Sequence, residues 1–173
     1  MGETLLNWLS GIPGEVQMIV LSAFPLTELR GSIPIAWTVM GSQWAWPWWK
    51  IYLLALAGNL IPVPFILWFL EPVSRFLRRW RVFDRFFEWL FDRTRRRAGD
   101  KIRKYEALGL TIFVAVPLPV TGAWTGSLAA FLFGIPKRMA IPAIAMGVAV
   151  AGILVTLVMS GALAGIGFIL GSD

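Results

Sequence analysis

The 173-residue sequence contains no cysteine and no histidine. Without cysteine there is no disulfide, no thiol nucleophile and no thiolate metal site. Without histidine there is no imidazole base, no Ser-His triad and no His-ligated metal. These absences exclude a zinc-type intramembrane protease and a His-based hydrolase, and they imply no metal and no cofactor. Charge is scarce too, at 15% of residues, against about a quarter in a soluble domain. The hydrophobic share is 57% and the mean hydropathy +0.70. A water-soluble domain of this length would lack the charges to cover its surface, so the chain reads as one integral membrane domain. The opening MGETLLNWLSGIPGE lacks a basic region and a long apolar stretch ending in small residues, and is not expected to be a cleaved signal peptide. Leu6 stands where myristoylation requires Ser or Thr.

The charges that exist are concentrated. From Glu71 to Glu106 there are 12 basic and 6 acidic residues, and their difference equals the whole net charge of +6. Four apolar blocks surround this polar linker. Ile51–Leu70 is 20 residues, about 30 Å as a helix, which matches one bilayer crossing. Met139–Leu170 is longer, and is expected to span with tilt or to break near Gly147, Gly152 or Gly161. The other two blocks are interrupted in the middle: Val16–Trp49 by Pro25, Gly31 and Pro34, and Ala107–Pro136 by Pro117, Pro119, Gly122 and Gly126. A proline inside a helix costs roughly 3 kcal/mol and a glycine about 1. Each of these blocks therefore reads as two short limbs joined by an unwound tip, a re-entrant hairpin whose loop must be satisfied by protein or trapped water. The alternative is one tilted, kinked helix per block.

The two halves echo each other. PLTELRGSIPIA (Pro25–Ala36) matches PLPVTGAWTGSLAA (Pro117–Ala130), each followed by a basic boundary, Lys50 or Lys137-Arg138, and then by an apolar span with an early glycine, Gly58 or Gly147. The offsets are 92 for the prolines, 87 for the lysines and 89 for the glycines. If the Arg-rich linker is cytoplasmic by the positive-inside rule, the first hairpin enters from outside and the second from the cytoplasm. The fold expected is an all-α inverted repeat of hairpin plus span: residues 15–70, linker 71–106, residues 107–170. This is the plan of secondary transporters, with a midplane site between two broken elements.

Glu28 and Arg30 are the only charges within Val16–Trp49 and fall at its tip. A charge at bilayer depth costs at least about 2.5–3.5 kcal/mol on insertion scales. On a helix, residues i and i+2 point apart; in an extended tip they can share one polar cavity. A carboxyl held between desolvation and a neighbouring guanidinium is suited to loading and releasing a proton. The guanidinium is a planar fork for phosphate or carboxylate. The alternative role for the pair is to lock the hairpin. Thr27, Thr121, Trp124 and Thr125 offer hydroxyls and a stacking face at the tips, with Ser127 nearby. Gly31, Gly122 and Gly126 allow close backbone approach to a ligand or close hairpin packing.

Phe76, Trp80, Phe83, Phe87 and Leu90 of the linker recur on one helical face, as in a helix lying on an anionic leaflet. A cytosolic helical hairpin is the alternative, and a nucleic-acid partner is rejected. Trp37, Trp44, Trp46, Trp48, Trp49 and Tyr52 read as an outer aromatic belt. Gly161-x-x-x-Gly165 and Gly167-x-x-x-Gly171 form a candidate helix contact.

Together the PLTELRGSIP and PLPVTGAWTGSLAA tips resemble the bacterial and archaeal "putative small multidrug export protein" family and, more distantly, the DedA superfamily. The resemblance covers about Glu15 to Leu170. It implies two re-entrant hairpins facing each other, functional tip residues that map to Glu28 and Arg30, and a prokaryotic inner-membrane location. DedA-type proteins carry a further arginine in the second hairpin, whereas this one is uncharged, with Thr121 and Trp124 at its tip. The DedA likeness implies proton-motive-force-dependent movement of an anionic lipid such as a polyprenyl phosphate. The expected function is thus transport of an anionic lipid or small amphiphile rather than catalysis, with membrane lipids, protons and a second copy of the chain as partners. The alternative is a non-transporting scaffold acting through the basic linker.

Overall fold

A computed structural model describes residues 12–38, 46–77, 79, 100–117 and 121–170. Among these residues all regular structure is α-helical: α1 Gly14–Ala23, α2 Glu28–Thr38, α3 Trp48–Leu60, α4 Pro62–Leu77, α5 Asp100–Ala115, α6 Ala123–Leu132 and α7 Lys137–Leu170. The expected amphipathic stripe from Trp80 to Leu90, and Trp44 of the aromatic belt, lie outside the described residues.

Proline places most of the helix ends. The carbonyl of Pro13 accepts from the amides of Val16 and Gln17, that of Pro47 from Lys50 and Ile51, and that of Pro136 from Met139 and Ala140. Each proline thus opens the helix that follows it. At the other end, Phe24 is extended (φ −73°, ψ 136°), as the residue before Pro25 must be, and α1 stops there. α5 ends likewise just short of Pro117. α6 closes on Gly134, whose φ is 65°. There Gly134 N–H donates to the Phe131 carbonyl and Ile135 N–H to that of Ala130, the paired bonds of a glycine-terminated helix.

Both expected spans overlap apolar stretches long enough to cross a membrane, and the helices refine their form. The crossing expected over Ile51–Leu70 falls on two helices, α3 and α4, with a turn at Ile61. Pro62 and Pro64 have no N–H to return to the carbonyls of Gly58 and Leu60, so the ladder is interrupted there. Conversely, α7 runs unbroken from Lys137 to Leu170 past Gly147, Gly152 and Gly161. A glycine lowers helix preference by only about 1 kcal/mol, whereas an unpaired peptide in hydrocarbon costs several. Two stretches are long and apolar enough to cross a membrane, Trp48–Ser74 and Lys137–Gly161.

The helices divide into two compact units, one drawn from Met1–Asn59 and Val150–Asp173, the other from Leu60–Ala149. In the first, α1 and α2 pack as a helical hairpin around Met18, Leu29 and Ile33, all essentially inaccessible. The Ser22 and Ser32 hydroxyls meet across it at 2.6 Å. Gly58 of α3 lies so close to α1 that an added Cβ would stand 2.8 Å from Ser22 Cβ and collide with the Ile19 carbonyl. In the second unit α6 packs on α4 and α5, and Gly126 leaves room for Val114. A Cβ on Gly147 of α7 would stand 2.7 Å from both the Thr111 carbonyl and Val114 Cβ. Lys137 pairs with Glu71 at 2.9 Å.

Each unit is thus organised by the same contact. The first limb of a hairpin, at residues 19 and 22 or 111 and 114, receives the glycine of the helix that follows the hairpin, Gly58 or Gly147. The Gly31-Ser32 and Gly126-Ser127 pairs occupy matching places in the second limbs, with both serines fully buried.

Candidate functional site

The first hairpin turns within four residues, Phe24 to Thr27. Thr27 Oγ1 donates back to the Leu21 carbonyl across this turn, Glu28 N–H donates to Phe24 O at 2.9 Å, and Gly31 N–H to Thr27 O at 2.7 Å. The turn leaves Glu28 in the left-handed region with φ 45°, the only non-glycine residue with positive φ among the described residues. Such a conformation costs roughly 1–2 kcal/mol for an L-residue and is held only where the surroundings over-determine it.

The consequence is chemical. Arg30 Nη1 donates to Glu28 Oε2 at 2.9 Å, with the two side chains only 13% and 10% exposed. On a regular helix these neighbours would diverge; the reversed turn at Glu28 brings them together. A buried ion pair gains little net stability over apolar packing, so its presence in an apolar chain draws attention to binding and charge transfer. Thr27 and Gly31 frame the same turn: a Cβ on Gly31 would sit 3.3 Å from Thr27 Cβ.

The second hairpin uses its predicted site residues differently. Thr121 Oγ1 donates to the Val116 carbonyl at 2.7 Å. Gly122, extended at φ −141°, caps α6, and its N–H donates to Thr125 Oγ1 at 2.8 Å. Gly126 N–H donates to Gly122 O at 2.7 Å, and Gly126 abuts Val114. Thr121, Gly122, Thr125 and Gly126 therefore build their own turn and helix start. Trp124 and Thr125 also line a groove of about 730 Å³ with Phe65, Trp68, Phe69 and Leu128 of the same unit. Of the belt residues, Trp48 and Trp49 are exposed, and Lys50 lies 4.2 Å above the Trp46 ring while pairing with Glu15 at 2.7 Å.

Burial also marks residues that the charge pattern passed over. Of the buried polar side chains among the described residues, Gln17, Ser22, Glu28, Ser32, Asn59 and Thr156 belong to the first unit and Ser74 and Ser127 to the second. Asn59 is fully buried, and neither its amide nitrogen nor its oxygen has a hydrogen-bond partner. An amide carries two donors and an acceptor, and leaving them dry costs about 1–3 kcal/mol. The signal was present in the sequence: Asn59 is the only carboxamide in the uncharged block 51–70.

The family described as "Putative small multi-drug export protein" matches residues 28–154, a stretch that opens on Glu28, just after the first hairpin's turn, and includes the whole of the first candidate span and most of the second. None of the curated proteins and none of the solved structures matches the chain. The match takes in well over half of the sequence, and the chain belongs to the small multi-drug export protein family.

Proposed function

We propose that this membrane protein is a transporter that moves an anionic lipid or small amphiphile, with Arg30 engaging the anionic head group and Glu28 carrying the coupling proton. The observation that carries the reading is the buried 2.9 Å ion pair at a strained turn in a chain that otherwise keeps charge out of its apolar blocks. Intramembrane ionisable residues face cavities or partners and mark substrate or proton paths. The guanidinium fork offers two parallel N–H groups to a phosphate or carboxylate. When such an anion engages Arg30, it competes with the Glu28 carboxylate for the same guanidinium. Anion binding and proton uptake are thereby linked in one pair of side chains. The family name, an exporter, agrees with transport; with neither His nor Cys, the chain has poor means for hydrolytic chemistry.

In this reading the two helix pairs are re-entrant and the repeat is inverted. The support is the charge pattern: 12 of the 16 basic residues fall within 71–106, which the positive-inside rule assigns to the cytoplasm. The span before that stretch then runs inward and the one after the second hairpin outward, as in inverted-repeat transporters. The protein would work in a prokaryotic plasma membrane as a homodimer, and the distant DedA likeness of the tips favours a lipid-phosphate cargo.

The test is reconstitution. Purified protein in liposomes with an imposed proton gradient should move a fluorescent alkyl phosphate across the bilayer. Glu28→Gln should remove the dependence on the gradient and Arg30→Ala should abolish movement. Full rates in both variants would sink the assignment.

A further inference from the structure

The unit that holds the ion pair also holds a cavity of about 530 Å³, a size that takes drug-like ligands. Trp37 of α2 and Trp48 and Tyr52 of α3 form one wall; the face of α7 from Ile153 to Ser160 forms the other. Among the described residues, no charged side chain lines it. Ile153 and Leu157 are exposed, so the cavity is open at the surface of the unit, where a chain dissolved in the membrane can reach it. Two lining groups are hydroxyls of α7. Ser160 Oγ donates to the Leu157 carbonyl at 3.0 Å. Thr156 is only 8% exposed, and its Oγ1 is buried without a hydrogen-bond partner. A buried hydroxyl with no partner from the protein is unfavourable in apolar surroundings and calls for one from elsewhere.

One contact links this cavity to the hairpin tip. A Cβ on Gly152 would stand 2.8 Å from the Tyr52 ring and 3.9 Å from Leu29 Cδ1. The aromatic wall and the residue between Glu28 and Arg30 therefore meet on one turn of α7, a turn before Thr156. Through Leu29 and Tyr52, the helix that carries the Arg30 cation and the uncharged aromatic slot thus pack on the same glycine of α7. That combination fits an amphiphile and neither a compact anion nor a plain hydrocarbon.

We propose that the Trp37, Trp48 and Tyr52 cavity holds the apolar chain of the transported amphiphile, with Thr156 Oγ1 bonding a polar atom at the junction of head and chain. The proposal rests on the reading of Arg30 as the head-group cation and adds a separate determinant, selection by chain length.

The probe is dodecyl phosphate bearing a diazirine at its chain end, photolysed on the full-length protein in nanodiscs, with labelled peptides mapped by mass spectrometry. Saturable labelling within residues 153–160 is expected, displaced by unlabelled dodecyl phosphate but not by hexyl phosphate. Ser160→Trp, at the exposed rim, should cut that labelling about tenfold, a free-energy change of about 1.4 kcal/mol, and leave labelling at Phe65–Phe69 unchanged. Thr156→Val, which keeps the shape and removes the hydroxyl, should weaken binding several-fold. Non-saturable labelling equal to that at Phe69 would mean an ordinary lipid coat and overturn the proposal. So would indifference to Ser160→Trp, or displacement by dodecyltrimethylammonium in place of the phosphate. If the cavity labels as expected but wild-type protein moves no alkyl phosphate in liposomes, the transport reading fails and the cavity stands. If transport occurs and the cavity stays unlabelled, the cavity alone is refuted.

Discussion

Glu28 and Arg30 form a 2.9 Å ion pair across a single intervening residue because the backbone at Glu28 is left-handed. Pro25 stops α1, the chain reverses within four residues, and the first residue of α2 is left with φ 45°. The strain and the ion pair are one feature: a relaxed helical Glu28 would point away from Arg30. Strain held at a buried charge pair is the kind of local conflict that binding can relieve.

Removing either partner takes the 2.9 Å ion pair from the buried charge that stays behind, at a cost of up to about 3–5 kcal/mol. Glu28→Gln and Arg30→Met should each lower the thermal midpoint in detergent, read by tryptophan fluorescence. The double variant should recover most of the loss, since no charge then remains to be buried. Losses that simply add would show the two residues to be energetically independent.

Asn59 invites the opposite experiment. Leucine matches its shape and has nothing to leave unpaired, so Asn59→Leu should stabilise the fold by about 1–3 kcal/mol, read as a raised thermal midpoint. A lower midpoint would mean that the amide contributes to folding after all.

The parts of this architecture that prolines and charge dictate were legible before any coordinates. Pro25 and Pro117 end first limbs because a proline restricts the residue before it, and the isolated Glu28 and Arg30 are conspicuous in an uncharged block. Pro34 misleads in the same terms. It lies within α2, where it deprives only the Arg30 carbonyl of a donor. The turn at Ile61 went unread because a 20-residue apolar run satisfies bilayer thickness whatever its prolines do. The left-handed Glu28 has no signature, since positive φ is signalled by Gly or Asn. Asn59 and Thr156 are invisible to any average of hydropathy. Burial and a missing partner single out Thr156, and they give the lone carboxamide at Asn59 its weight.

Glycines separate into two classes with opposite expected effects. At Gly58 and Gly147 a methyl group would meet the backbone carbonyl of Ile19 or Thr111, which cannot step aside, so alanine should destabilise by about 1–3 kcal/mol. At Gly109 and Gly161 an added Cβ meets nothing within 4 Å, and both lie inside helices. Alanine there should stabilise by about 0.5–1 kcal/mol. Thermal midpoints of the four variants check this, and a stabilised Gly58→Ala would contradict the packing of α3 against α1.

Glu15 and Lys50 provide a pH-dependent contact at the start of the first hairpin. The Lys50 ammonium donates to Glu15 Oε1 at 2.7 Å and holds that carboxyl below its usual range. A carboxyl whose folded pKa is depressed adds stability above its unfolded value of about 4.3, and that contribution disappears as pH falls through the lower folded value. Glu15 is open to solvent, so the effect is small and screened by salt. Glu15→Gln should flatten the acid limb of a plot of thermal midpoint against pH, and high salt should flatten it in the wild type. Lys50→Arg should preserve the slope, because it keeps both the ion pair and a cation over Trp46. An acid limb unchanged in Glu15→Gln would show that the pair adds nothing to folding.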